Sequence, residues 1–279
     1  MSEPSKTFLD PGAEAGPEPG AGRPVLLSGR LSYTQPDEAA TARAWEEIRL
    51  IEPSRRHLAR HHVVSATRED PASVSFDVLR TRLLQALRAH GWSRVGITSP
   101  TKGCGKTFTA ANLAFSISHK PSTRTVLLDM DLRRPNLAPT LGLRDPGNLG
   151  DVLGGETTMS NHLIRLAPNL AVAANSTPVP DSAELLQEPM TRAVLEAMRQ
   201  ALRPDVVIYD LPPVLLCDDV IAFLPHLDGI LLVADGHHTK AHEIAECERL
   251  FKDQTEILGV VLNRAEDSET DRYGYYGNA

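Results

Sequence analysis

Fourteen residues, RVGITSPTKGCGKT at positions 94–107, constrain this chain more than any other stretch. Residues 94–99 read as a short strand, with the β-branched Val95 and Ile97 on either side of Gly96. A loop carrying Gly103 and Gly105 follows. Lys106-Thr107 then opens a segment with Phe108, Leu113, Ala114 and Ile117 at helical spacing. Strand, glycine loop, Gly-Lys-Thr and helix are together the parts of a phosphate-binding loop. Glycines let backbone N–H groups turn inward on a triphosphate, and the helix N-terminus adds partial positive charge. Lys106 has the length to reach β and γ phosphates, and the Thr107 hydroxyl suits Mg²⁺. Thr101, Lys102, Gly103, Cys104, Gly105 and Phe108 complete the loop that would wrap the nucleotide. The usual spacing wants a glycine six residues before the lysine, and Pro100 stands there instead. A purely structural glycine turn would need neither the strand nor the helix around it.

At 279 residues the chain has material for one large domain, or for one domain with an appendage. Its composition, 41% hydrophobic and 23% charged, is that of a globular protein. A formal net charge of −7 argues against binding nucleic acid through overall charge, so no nucleic-acid partner is expected. Cys104, Cys217 and Cys247 have neither metal spacing nor a disulfide framework, which suits a reducing cytoplasm. No apolar run nears the ~20 residues that span a bilayer, and no signal-peptide core opens the chain. A cytoplasmic protein is expected, reaching a membrane through a partner.

Three regions are expected. Residues 1–70 read as a largely disordered Pro/Gly/Ala-rich extension, PGAEAGPEPGAGRP being its extreme. Within it, 39–51 has the pattern of a short helix with Trp45, Ile48 and Ile51 along one side. Residues 54–62 read as a solvated basic linker, since His57, His61 and His62 have no ligand partners nearby in sequence. Residues 71–265 form the nucleotide-binding domain and 266–279 a flexible tail bearing tyrosines. In the domain, 73–90 is an amphipathic helix with Phe76, Leu79, Leu83, Leu84 and Leu87 on one face. Apolar runs at 123–129, 170–173, 206–210, 229–234 and 257–263 read as buried strands. Helical stretches at 182–202, 218–224 and 241–252 alternate with them. This predicts an α/β, doubly wound, mainly parallel sheet with helices on both faces, of the P-loop NTPase type. Ligands of such sheets bind at the carboxyl ends of the strands.

Two of those ends carry acids. In LLDMDLRRP, Asp129 and Asp131 alternate, so both carboxylates point to one side if the strand persists to Asp131. In VVIYDLPP, Asp210 has the position of a Walker B acid, holding Mg²⁺ through water. Thr107, Asp131 and Asp210 are thus the candidate metal site. Asp129 or Asp131 is placed to orient or deprotonate an attacking hydroxyl, and with Lys106 and Asp210 completes the candidate catalytic set. Strand-end acids also serve as helix caps, but three of them beside a phosphate loop favour chemistry. Arg133 and Arg134 read as partners of a phosphate or of acids across a subunit interface, with a solvated pair beside a turn at Pro135 close behind. Asn263, ending VVLNR, reads equally as an adenine contact and as a strand terminator.

These segments resemble the bacterial tyrosine kinases of capsule and exopolysaccharide synthesis, a branch of the P-loop ATPases that includes MinD and ParA. The resemblance runs from about 75 to 264. It rests on FDVLRTRL, SPTKGCGKTFTAANLA, VLLDMDLRRP, NLGDVLGG, PVPDSAELL and YDLPPVLLCDDV, which are specific jointly rather than singly. It implies ATP and Mg²⁺, with Lys106 and Thr107 in the loop roles, Asp129 and Asp131 as the paired acids and Asp210 as the Walker B acid. It also implies self-association and autophosphorylation on a C-terminal cluster, here Tyr273, Tyr275 and Tyr276. Activation would come from a membrane polysaccharide co-polymerase, as a separate chain, at the inner face of the plasma membrane. Lys102, the short tyrosine cluster and the long N-terminal extension depart from the family pattern.

Two further functions fit a phosphate loop. A MinD/ParA-like positioning switch uses a signature lysine five residues before the loop lysine, where this chain has Thr101, with Lys102 one residue out of register. An ATP-binding scaffold with weak phosphotransfer is the other. The tyrosine-bearing tail and the acidic overall charge favour the kinase.

Overall fold

The structure, a computed structural model, describes residues 24–27, 30–33 and 37–265. The tail tyrosines Tyr273, Tyr275 and Tyr276 lie outside the described residues. The chain divides into two compact units, 1–38 and 39–279. In the first, β1 (Pro24–Leu27) and β2 (Arg30–Tyr33) pair as an antiparallel hairpin.

The second unit is a seven-stranded sheet covered by helices. Its strands are β3 (Arg94–Thr98), β4 (Thr125–Asp129), β5 (Ile164–Ala167), β6 (Leu170–Ala173), β7 (Val206–Asp210), β8 (Gly229–Asp235) and β9 (Glu256–Asn263). Their order is β5-β6-β4-β7-β3-β8-β9, parallel throughout except for β5 against β6. The predicted strands are all present. β5, four residues long and alternating in burial, carries too short an apolar pattern to stand out in sequence.

Side chains on the two faces of the central strands feed two cores. One holds Val126, Leu128, Tyr209 and Leu232, and the other Val95, Ile97, Leu127 and Ile208. This alternation is what continuous apolar strands require when both sheet faces are covered. The covering helices are α1 (Glu38–Glu47), α2 (Arg55–Arg60), α3 (Ser73–His90), α4 (Lys106–Ser118), α5 (Leu137–Leu141), α6 (Leu149–Leu153), α7 (Met159–His162), α8 (Ser182–Gln187), α9 (Pro189–Leu202), α10 (Asp219–Phe223) and α11 (Ala241–Phe251). Among the described residues no helix is long and apolar enough to cross a membrane.

Three expectations need correction. The single helix expected over 182–202 is two, because Pro189 holds Glu188 extended (φ −64°, ψ 140°) and restarts the helix as its first residue. The strand ending in paired acids stops at Asp129 and does not reach Asp131. Residues 39–70, expected to be a largely disordered extension, instead pack on the domain. Trp45 and Ile48 lie in the first core and Leu58 and Val63 in the second, all at 3% exposure or less. The supposed linker contains α2, capped by Ser54, whose hydroxyl accepts from the His57 N–H at 3.4 Å.

Candidate active site

β7 lies between β4 and β3, so the phosphate loop leaving β3 and the acids ending β4 and β7 share one edge of the sheet. Asp129 and Asp210 are direct partners in the β4–β7 register, and Ile97 pairs with Asp210 on the other side. The segment after β7 is tied to the phosphate loop's approach. Thr98 Oγ1 donates to the Pro212 carbonyl at 2.6 Å, and the Val214 N–H donates to the Ser99 carbonyl at 2.9 Å.

The loop itself needs glycine at position 105 on two counts. Its φ is +94°, in the left-handed region, and a Cβ there would fall 2.2 Å from Asn263 Nδ2. Asn263 Nδ2 donates to the Cys104 carbonyl at 2.9 Å, so β9 braces the loop. One N–H of the Asn263 amide is thus engaged within the protein, while the residue still lines the cleft. Cys104 is buried beneath the loop, and Phe108 packs edge-to-face on Phe76 of α3, with ring centroids 5.5 Å apart.

Lys106 Nζ donates to Asp131 Oδ2 at 2.7 Å and lies 3.7 Å from Asp210 Oδ1. Asp131 reaches it without the strand extending so far. A turn follows Asp129, fixed by the Arg134 N–H donating to Asp131 Oδ1 at 3.1 Å. Asp129 and Asp210 are fully buried, and Asp131 is 6% exposed. Burial, joined by the negative charge of Asp210, pushes the Asp129 carboxyl well above the usual range. Burial also raises Asp210, against the opposing pull of Lys106. The acids in turn raise Lys106, against the effect of its own burial.

Asp129 Oδ2 accepts from the Leu137 N–H at 3.0 Å, while its Oδ1 and both oxygens of Asp210 have no hydrogen-bond partner. Buried carboxylate oxygens left in this way suit a divalent cation and its waters, which need only one or two carboxylates beside a phosphate. A closed cage of three or more His, Cys, Asp or Glu side chains is absent among the described residues. The residues present thus fit an aquated Mg²⁺ better than a dedicated structural metal.

Of these groups Lys106 and Asp131 open onto a cleft of about 1040 Å³, with the buried Asp129 and Asp210 outside its lining. Lys102, Gly103, Gly105, Lys106, Thr107 and Phe108 line it, with Asp131, Arg133, Arg134 and Asn263. Thr101 turns inward on the loop, its hydroxyl 3.7 Å from Cys104 Sγ. Arg133 Nε donates to Asp219 Oδ2 at 2.8 Å, and the Ser182 hydroxyl donates to the other oxygen of that carboxylate. Sequence reasoning missed one wall altogether. Arg60, His61, His62, Val64 and Asp70 line the cleft from the N-terminal segment. That segment is fastened to α4 by Asn112, whose Oδ1 accepts from the Ser65 N–H at 2.9 Å and whose Nδ2 donates to the His62 carbonyl at 3.0 Å. The only local signals were the Ser54 cap and the apolar Leu58 and Val63.

Residues 95–275 match the family described as the CobQ/CobB/MinD/ParA nucleotide binding domain. The chain is 30% identical over 207 residues to the tyrosine-protein kinase YwqD of Bacillus subtilis, which spans 74% of this chain and 86% of that one. It is 34% identical over 210 residues to EpsB of Ralstonia nicotianae, covering 74% of this chain and 27% of EpsB. The chain thus spans about a quarter of that longer relative. The kinase domain of the Escherichia coli tyrosine kinase ETK superposes with a TM-score of 0.67 at 26% identity, over 78% of this chain and 85% of that one.

Proposed function

The chain belongs to the CobQ/CobB/MinD/ParA nucleotide-binding family and, within it, to the bacterial tyrosine kinases, and from that premise we propose that it is an ATP-dependent protein-tyrosine autokinase regulating exopolysaccharide or capsule polymerisation or export. The observation that carries the reading is Lys106 held between Asp131 and Asp210 beside the buried Asp129, at the mouth of the phosphate-loop cleft.

In this reading Lys106 and the loop N–H groups, from Thr101 through Phe108, bind the triphosphate. Lys106 gives up Asp131 for the β and γ phosphates, which leaves that carboxylate free to act. Thr107, Asp131 and Asp210 would hold Mg²⁺, whose charge offsets that developing on the transferred phosphoryl group. Asp129 or Asp131 orients the acceptor phenol and accepts its proton. The raised proton affinity of buried Asp129 narrows its gap from a phenol near pKa 10, which favours general-base work. Arg133, anchored on Asp219, presents positive charge at the rim. Tyr273, Tyr275 and Tyr276 are the proposed acceptors, supplied between copies in a homo-oligomer. A membrane polysaccharide co-polymerase is the proposed activating partner, and it would recruit the domain of 71–265, with 39–70 packed on it, to the inner face of the plasma membrane.

Mass spectrometry of purified protein after incubation with Mg·ATP tests this. Phosphotyrosine within 273–276 is expected, and none in Lys106→Ala or Asp210→Ala protein. Equal labelling of those variants, or an unlabelled wild-type chain that binds ATP, would overturn the assignment.

A further inference from the structure

A second cavity, of about 580 Å³, lies between α2 and the turn that ends α5. Arg56, His57, Arg60, His61 and Arg144 open onto it, and no carboxylate is among its lining residues. Four arginines elsewhere in this acidic chain are each matched by an acid. Arg94 pairs with Asp228, Arg80 with Asp77, Arg133 with Asp219 and Arg264 with Asp235. Arg56, Arg60 and Arg144 form no ion pair among the described residues, although the chain carries 36 Asp and Glu against 29 Lys and Arg.

The wall of this cavity is built rather than incidental. Leu58 is 1% exposed and roots α2 in the core. The His57 ring nitrogen Nε2 hydrogen-bonds the Pro139 carbonyl at 2.8 Å. Gly142, at φ +70°, leaves room for that ring, since a Cβ there would lie 2.8 Å from it. His61 stacks on His57 with ring centroids 4.3 Å apart and planes 18° apart. Desolvation, and after it the neighbouring His57, Arg60 and His62, lower the His61 pKa.

We propose that this cavity is a second anion site, distinct from the phosphate loop, that binds a phosphate monoester. Arg56 and Arg60 stand four residues apart and so share a face of α2, with Arg144 contributed by the turn beyond α5. Guanidinium forks match phosphate oxygens two at a time, and three of them call for a dianion rather than a single carboxylate. The volume exceeds what a free ion fills, which suits a phosphate carried on a larger group. That group is either a small metabolite or a phosphorylated tyrosine. Arg60 and His61 also line the nucleotide cleft, so an occupant here touches the rim of the first site.

The test uses the full chain, titrated by calorimetry with inorganic phosphate, O-phosphotyrosine and tyrosine. Arg56 and Arg144 line only the second cavity and are exposed, so Arg56→Ala/Arg144→Ala protein should fold normally by circular dichroism. Saturable binding of a phosphate-bearing ligand but not of tyrosine is expected. It should weaken at least tenfold in the double alanine variant, recover in part in Arg56→Lys/Arg144→Lys, and persist in Lys106→Ala. Preference for phosphotyrosine over inorganic phosphate would assign the source as an ester. Absence of binding, binding that the double variant leaves intact, or binding lost with Lys106 would overturn the proposal.

Discussion

Asp129 and Asp210 sit directly opposite one another in the register of adjacent parallel strands, both completely buried. Two carboxylates so placed repel, and Lys106 and the Leu137 N–H offset part of the strain. Both carboxyls are raised, so the folded protein binds their protons more tightly than the unfolded chain does. Stability contributed by these groups is therefore greatest at low pH and falls as pH rises from the unfolded value near 4 through the raised folded values. Asp129→Asn should remove this penalty, raising Tm at pH 7.5 by about 2–4 °C, the shift that ~1 kcal/mol produces in a domain of this size. The gain should shrink as pH is lowered toward 4. Thermal melts of both proteins across that range check it, and phosphotransfer should fall in the same variant.

Lys106 is the sole cation within ion-pair distance of Asp131 and Asp210 among the described residues. Lys106→Ala leaves three buried carboxylates facing each other with no balancing charge. Nucleotide affinity should fall about 100-fold, as loss of charge-assisted contacts worth ~3 kcal/mol implies. Fluorescent-nucleotide titration measures this. Lys106→Ala/Asp131→Asn should recover melting temperature over the single variant without recovering nucleotide binding.

The strand–loop–helix of the phosphate site was legible because its signal is local: glycines at fixed offsets between two short apolar patterns. Asp129 and Asp210 were legible because each ends an apolar run, and parallel sheets gather such ends on one edge. The spacing of Asp131 from Asp129 is legible, but its backbone conformation is not. Asp131 enters the site from a turn held by the Arg134 N–H, and not from an extended strand. The Asn263 contact with the loop spans 159 residues of sequence, and no local pattern announces it. The N-terminal wall was hidden in the same way. Its polar composition masks a few buried anchors, and composition averages over the residues that decide packing.

Trp45 is one such anchor. Its indole lies 3% exposed in the first core, and Nε1 donates to the Leu202 carbonyl at 2.7 Å, tying α1 to the end of α9. Trp45→Phe keeps most of the apolar burial but leaves that carbonyl without its donor, at a cost of about 1–2 kcal/mol. Trp45→Ala should cost about 3–5 kcal/mol, since a cavity is added. Urea denaturation followed by far-UV circular dichroism measures both. A loss under ~0.5 kcal/mol for the alanine variant would show that α1 is not part of the cooperative unit.

Asn112 joins the N-terminal wall to the phosphate-loop helix, and its removal should separate local from global stability. The side chain is fully buried, with its amide oxygen on the Ser65 N–H and its nitrogen on the carbonyls of His62 and Phe108. His119 Nε2 adds a contact at 2.7 Å to the Ser65 carbonyl, so a single turn of chain is held from two positions on α4 and just beyond it. Asn112→Ala leaves the buried Ser65 N–H without its acceptor, worth about 1–3 kcal/mol unsatisfied, while the His62 carbonyl keeps the Val64 N–H. The segment can relieve most of that by detaching, because it is joined to the sheet through few other polar contacts. Hydrogen exchange at 57–67 should therefore quicken at least tenfold in the variant, while amides of β3, β4 and β7 keep their protection. Nucleotide affinity should fall with it, since Arg60, His61 and His62 leave the cleft wall. Uniform acceleration across the sheet would instead mean that the N-terminal segment and the sheet unfold as one.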